Sequence, residues 1–305
     1  MTKRLFYIAI CSLFFNAQNF AQGDLTTCTL FNEANLLKHV KSLSSDAFEG
    51  RRTGTKGALK AEKYIINQFY SLKVKPLGKK YHQSFVFSRR GKTYNGTNIL
   101  GLIEGKELPH KYIVISAHYD HEGIKFGEIY NGADDNASGL SALFSFAEYF
   151  RSNPPKHSII LAAFDAEELG LQGSKYFVKN TIVSDKAIVL NINMDMISRS
   201  SEKELFVVGT AFNEQLKNIV SSIDESENIK LIKGHDGYDG LDNWTYSSDH
   251  ANFHKKGIPF LYFGVDDHKD YHEPTDDYEN IQPDFYIEAV KTIISVFKKV
   301  DCAKY

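Results

Sequence analysis

Cysteine and proline are both sparse in this chain, with three and seven among 305 residues. With so little proline and 42% apolar residues, a disordered or collagen-like chain is excluded, as is a coiled coil. Neither charge sign dominates: Lys+Arg 36 stands against Asp+Glu 38, a net charge of −2. A surface that holds phosphate backbones needs a basic excess, so no nucleic-acid partner is expected. Long apolar runs are missing too. The run Leu5 to Phe15 falls short of the ~20 residues that a spanning helix requires, and no membrane partner is expected.

That run does have a reading. Lys3 and Arg4 precede it, and small or polar residues follow to Ala21, the layout of a cleaved secretory signal. Residues 1–21 are therefore expected to be a signal peptide, and 22–305 one catalytic domain, secreted or periplasmic. Removing two basic residues and no acid takes the net charge from −2 to −4. Cys28 and Cys302 then lie near opposite ends of the remaining chain, where an oxidising compartment and the closeness of domain termini predict a disulfide.

Apolar residues at helical spacing predict helices over 33–44 and 56–73. From there strands and helices alternate: strands 98–103 and 112–117, helix 138–150, strand 158–164, helix 168–178, strand 187–193. Strand 204–209, helix 213–222, strand 258–263 and helix 285–300 follow. Such alternation predicts an α/β fold of three layers, a mostly parallel mixed sheet with helices on both faces. No proline-, glycine- or serine-rich stretch divides it.

In sheets of this kind ligands bind beyond the carboxyl ends of the strands. Strand 112–117 runs into His118 and Asp120, strand 158–164 into Asp165, Glu167 and Glu168, and strand 187–193 into Asp195. Each has an ordinary explanation alone, such as acids favoured in a first helical turn. Together they concentrate negative charge that cations must offset. Imidazole and carboxylate without thiolate suits zinc, and also admits manganese or cobalt. His39, His82, His110, His157, His235, His254 and His268 lack such spacing and are read as surface or core residues.

The segments Ser116-Ala117-His118-Tyr119-Asp120, Gly132 to Gly139, Phe164 to Ser174, Asn193-Met194-Asp195-Met196 and Tyr271-His272-Glu273-Pro274 resemble, in order, the motifs of the co-catalytic zinc aminopeptidases of the bacterial leucyl-aminopeptidase type. The resemblance extends to Leu43 to Arg51 and to Ser248-Asp249-His250. It implies the zinc-exopeptidase fold and two zinc ions, one on His118 and Asp195, the other on Glu168 and His272, with Asp135 bridging. Asp134 would stand behind the bridge, and the peptide between Asp135 and Asn136 would be cis.

The same resemblance implies that Glu167 moves a proton between a water held by the two zinc ions and the leaving amine, and that Asp120 accepts the other N–H of His118. Tyr271 would donate to the substrate carbonyl or pack in the pocket wall. Residues 234–246, with Tyr238, Trp244 and Tyr246, read as a rim loop whose aromatics line a side-chain pocket or pack beneath it. The substrates implied are peptides with a free N-terminus. Two alternatives remain on the same fold: a glutaminyl-cyclase-like acyl transferase with one zinc, and a non-catalytic binding domain. The Glu168 to Ser174 continuation and the complete ligand set favour the peptidase. Side-chain preference, a dipeptidase activity and oligomeric state are not legible.

Overall fold

Successive side chains of a strand point to opposite faces, and in the inner strands both faces are apolar. The computed structural model describes residues 29–224 and 226–303. Its elements are α1 (Glu33–Leu43), a 3-10 segment (Asp46–Arg51), α2 (Lys56–Ser71), β1 (Lys75–Pro76), β2 (His82–Arg89), β3 (Lys92–Ile103), β4 (Leu108–His118), β5 (Gly123–Lys125) and β6 (Glu128–Tyr130). Then come α3 (Gly139–Ser152), β7 (His157–Phe164), α4 (Gln172–Lys179), β8 (Ile188–Met194), β9 (Glu204–Val208), α5 (Glu214–Ser221), β10 (Lys230–Lys233), α6 (His250–His254), β11 (Phe260–Gly264) and α7 (Pro283–Cys302).

One main sheet runs β1-β3-β7-β4-β8-β11-β9-β10, with β2 paired to β3. Its centre, β7-β4-β8-β11, is parallel, and antiparallel pairs flank it. Ile113, Ile115 and Ala117 of β4 and Ile159, Leu161 and Ala163 of β7 face a large core shared with α1, α2, α3, α5 and α7. Val114, Ile160, Ala162 and Phe164 face a smaller one with Phe177 of α4 and Phe253 of α6. The three layers follow from that alternation.

Two expectations shift. The hairpin of β2 and β3 and the short β10 were not anticipated. The helix expected from Glu168 begins only at Gln172, because Ala166, Gly170 and Leu171 take positive φ and cannot continue a helical turn. Glu167 and Glu168 therefore sit on an irregular turn, with directions set independently of helical periodicity. The expected signal peptide and Cys28 lie outside the described residues, while Cys302 is exposed at the end of α7. Among the described residues no helix is long and apolar enough to cross a membrane.

Below the sheet edge, Arg51 is wholly buried and donates to the carbonyls of Tyr119 (2.9 Å), Leu43 (2.7 Å), Asn131 (2.6 Å) and Gly132 (2.9 Å). One guanidinium thus ties the amino-terminal segment to the end of β4 and to the loop before α3. Neighbouring Gly50, at φ 63, has no room for a Cβ: one would fall 2.4 Å from the Tyr130 carbonyl.

The closing helix is fastened to β7 by Asp301, which accepts from the backbone N–H of Lys156 (2.8 Å) and His157 (3.0 Å) and pairs with His157 Nδ1 (2.8 Å). Burial opposes ionisation of Asp301, but these contacts to His157 and Lys156 hold its pKa below the usual value. Asp301→Ala should cost roughly 2–4 kcal/mol at pH 7, since it strands buried donors. A depressed folded pKa gives stability that is present above the unfolded carboxylate value, about 3.9, and is lost as pH falls through the folded value. Urea midpoints of wild type and variant should therefore differ at pH 7 and 5, and the difference should shrink as pH falls below about 3.9.

Candidate metal centre

Three parallel strands deliver the first groups. His118 closes β4, Asp165 to Glu168 follow β7, and Asp195 follows β8. Asp135 comes from the turn ahead of α3, where its peptide with Asn136 is cis, and His272 from the loop after β11.

The structure brings the five expected ligands together. His118 Nε2 lies 3.1 Å from Asp195 Oδ1 and 3.3 Å from Asp135 Oδ1. On the other side of the same carboxylate, His272 Nε2 is 3.1 Å from Asp135 Oδ2 and 3.3 Å from Glu168 Oε2. Asp135 thus turns one oxygen toward each imidazole. The trio His118, Asp135 and Asp195, and the trio His121, Asp135 and Glu168, each offer ligand atoms within 4.8 Å of one another. Nitrogen and carboxylate oxygen without thiolate is a donor set that fits zinc.

Hydrogen bonds aim these groups. Ser116 Oγ donates to Asn193 Oδ1 (2.6 Å), Asn193 Nδ2 to Ser248 Oγ (3.0 Å), and Ser248 Oγ to Asp195 Oδ2 (2.6 Å), which leaves Asp195 Oδ1 toward His118. Asp276 accepts from the backbone N–H of Asp134 (3.0 Å) and Asp135 (3.0 Å). Asp134 faces away from His118 and His272, accepting from Ser198 N and Oγ at 2.7 Å each, with His268 Nε2 at 3.0 Å. The expectation for Asp134 fits this arrangement. That for His268 does not, because it braces the loop bearing His272.

Asp120 departs from expectation. Its carboxylate is 3.8 Å from His118 Nδ1, too far for a hydrogen bond. It is the Asp120 backbone carbonyl that accepts from His118, at 3.0 Å. The carboxylate is drawn instead to the Glu167 N–H, at 2.9 Å. Asp120 therefore places the turn that carries Glu167. Tyr271 stacks on the His272 ring, centroids 3.9 Å apart, and lines the pocket.

That pocket, about 240 Å³, is lined by the metal-facing groups with Glu167, Trp244, Tyr262, Tyr271, Asp242 and Asp267 among others. Trp244 stacks on His235 at 3.5 Å, and its Nε1 donates to Asp242 (2.8 Å). Tyr238 and Tyr246 are exposed and lie outside the lining. His121 was not singled out in the sequence, yet it is fully buried with Nδ1 2.9 Å from Glu168 Oε1. Its spacing from His118 at a strand exit was the available signal.

Electrostatics follow burial. Burial pushes Glu167 well above the usual carboxylate range, with Asp195 and Glu168 adding and His118 opposing. Burial raises Asp135 and Glu168 as well, but His121 and His272 at both, with His118 at Asp135, more than offset it. Asp135 ends well below its ordinary value and Glu168 at about 2. Burial lowers His118 and His272, yet the surrounding acids prevail, raising His118 and bringing His272 to about 11.

The model of "Peptidase family M28" matches residues 98–297. Aminopeptidase YwaD of Bacillus subtilis is 35% identical over 195 residues, 60% of this chain but only 40% of its own length. Among solved structures, BSAP, a zinc aminopeptidase from Bacillus subtilis, superposes with a TM-score of 0.71 at 20% identity, covering 88% of this chain and 95% of its own. A Bacteroides thetaiotaomicron glutaminyl cyclase gives 0.71 at 19%, covering 87% and 97%. These two likenesses bear on the fold alone.

The imidazoles carry a further consequence. A metal needs an unprotonated nitrogen, and at neutral pH His118 and His272 with raised pKa values hold protons. Zinc loading at pH 7 should release protons, and affinity should rise from pH 6 to pH 8. Calorimetry in buffers of different ionisation enthalpy measures both; loading without proton release would contradict it.

Proposed function

The chain belongs to peptidase family M28, and from that premise we propose that it is a secreted zinc aminopeptidase, removing residues from peptides with a free N-terminus. The observation that carries this reading is Asp135 set between two imidazole-carboxylate groups, one oxygen toward His118 and the other toward His272. Those two groups are the proposed sites of two zinc ions: His118 and Asp195 in one, Glu168 and His272 in the other, Asp135 in both. When bound, paired zinc ions acidify a water and polarise the scissile carbonyl.

Glu167 is the proposed catalytic residue. It opens onto the pocket beside the metal-facing groups, within reach of a water held there, and is proposed to take a proton from that water and pass it to the leaving amine. Asp120, through the Glu167 N–H, keeps that carboxylate in place. Tyr271, on the pocket wall, is proposed to donate to the substrate carbonyl. Residues 1–21 support secretion, as a charged and then apolar leader.

The glutaminyl-cyclase likeness sustains one alternative, a single-zinc acyl transferase. Zinc saturating at one per chain, with Asp195→Ala leaving that count unchanged, would transfer the assignment to it.

Two outcomes are expected. Glu167→Gln should retain both zinc ions while turnover falls ~10²- to 10⁴-fold, the usual loss for a missing general base. Glu168→Ala should weaken zinc binding itself. Zinc stoichiometry beside kcat on both variants decides; a Glu167→Gln protein short of one metal would reverse the two roles. Because Asp242 and Asp267 add negative charge to the lining, substrates with an N-terminal Asp or Glu should be cleaved slowest in an aminoacyl chromogenic panel.

A further inference from the structure

His121 follows the end of β4, and its ring is fully buried beside the bridging carboxylate. Nδ1 stands 2.9 Å from Glu168 Oε1 and 3.7 Å from Asp135 Oδ2. Nε2 is buried with no hydrogen-bond partner among the described residues. Gly132 closes one side of the ring, since a Cβ there would come within 2.6 Å of its Cγ and Cδ2. Gly132 is itself held, its carbonyl accepting from buried Arg51 at 2.9 Å. The imidazole thus has one short polar contact and little freedom to leave it.

Glu168 divides its two oxygens, Oε1 toward His121 and Oε2 toward His272. A carboxylate can only accept, so the contact at 2.9 Å requires the proton on His121 Nδ1. We propose that His121 is a positioning residue of the second zinc site: its Nδ1–H holds Glu168 Oε1 and so turns Oε2 to the metal beside Asp135 and His272. The assignment rests on the di-zinc reading above. A ligand role for His121 fits less well. Its nitrogen is at hydrogen-bond distance from Glu168 but farther from Asp135, whereas His272 Nε2 is within 3.3 Å of both. Asp135, Glu168 and His272 already supply three protein ligands, and a fourth would close the open position that catalytic zinc keeps for water and substrate. Partners behind the ligands of a metal fix their orientation and govern affinity.

The test compares His121→Leu, which removes the donor, with His121→Asn, whose amide nitrogen can occupy the Nδ1 position. Each purified full chain is titrated with zinc against a competing chelator, and its cobalt-substituted form is examined by visible absorption. In His121→Leu one of the two zinc affinities should fall 10- to 100-fold while the other holds. His121→Asn should restore it to within a few-fold. At saturating cobalt the band positions should match wild type, because no ligand is lost. Unchanged zinc affinities in both variants would overturn the assignment, as would cobalt bands reporting a lost nitrogen ligand, which would make His121 a ligand. If His121→Leu fails to fold, His121→Asn and His121→Gln are compared instead, and loss of tight binding in both overturns it. A wild-type chain that takes up fewer than two zinc ions fails the di-zinc reading itself; two tightly bound ions with indifferent variants fail only this assignment.

Discussion

Burying several carboxylates at one sheet edge is the constraint on which the rest depends. Asp120, Asp135, Asp165, Asp195, Asp249 and Asp276 are all buried, and a buried charge without compensation costs several kcal/mol, so about as much as a whole domain's margin is at stake. Burial pushes Asp165 and Asp276 to about 6 and Asp249 to about 7. The fold answers largely with backbone N–H groups: Thr97 and Ala166 donate to Asp165, Glu167 to Asp120, and Asp134 and Asp135 to Asp276. Apart from Thr97, which lies within β3, these donors are freed by irregular turns at the strand ends. Arg51 adds a buried positive charge whose own hydrogen bonds all go to carbonyls, so it compensates at a distance and leaves the carboxylate oxygens available.

Within that constraint the site divides labour by chain neighbourhood. Glu167 and Glu168 are adjacent, yet one opens to the pocket while the other is gripped by two imidazoles. A regular helix would have fixed their divergence at its own pitch. The positive φ at Ala166 and Leu171 replaces that pitch with a turn, and Asp120 anchors the turn through the Glu167 N–H.

Much of this was legible in the sequence, and for physical reasons. The inner strands are continuously apolar because both of their faces are covered, so β4, β7 and β8 stood out. Their polar ends then marked one edge. The β2 and β3 hairpin was not legible, since its outer strand alternates weakly and lies at a flank. The helix at Glu168 was placed too early because acids are common in first turns, and nothing local distinguishes an irregular turn from one. The partner of His118 Nδ1 was misjudged because a backbone carbonyl leaves no mark in a sequence, whereas an aspartate two residues on invites the assignment. His268 and His121 were missed for a related reason. Their partners, Asp134 and Glu168, are distant in sequence, and only tertiary packing brings them close.

The loop after β11 has a consequence in time. It carries His272, and it is seated by His268 on Asp134 and by Asp276 on the amides of Asp134 and Asp135, contacts that span 134 to 142 positions of chain. Synthesis reaches this loop after β4, β7 and β8. Until it docks, Asp135 and Glu168 lack their second imidazole, and the turn at Asp134 lacks its acceptor. The second imidazole beside Asp135 and Glu168 is therefore supplied only once this loop has been made and docked, and a copy interrupted before it carries an acidic edge that lacks this offset.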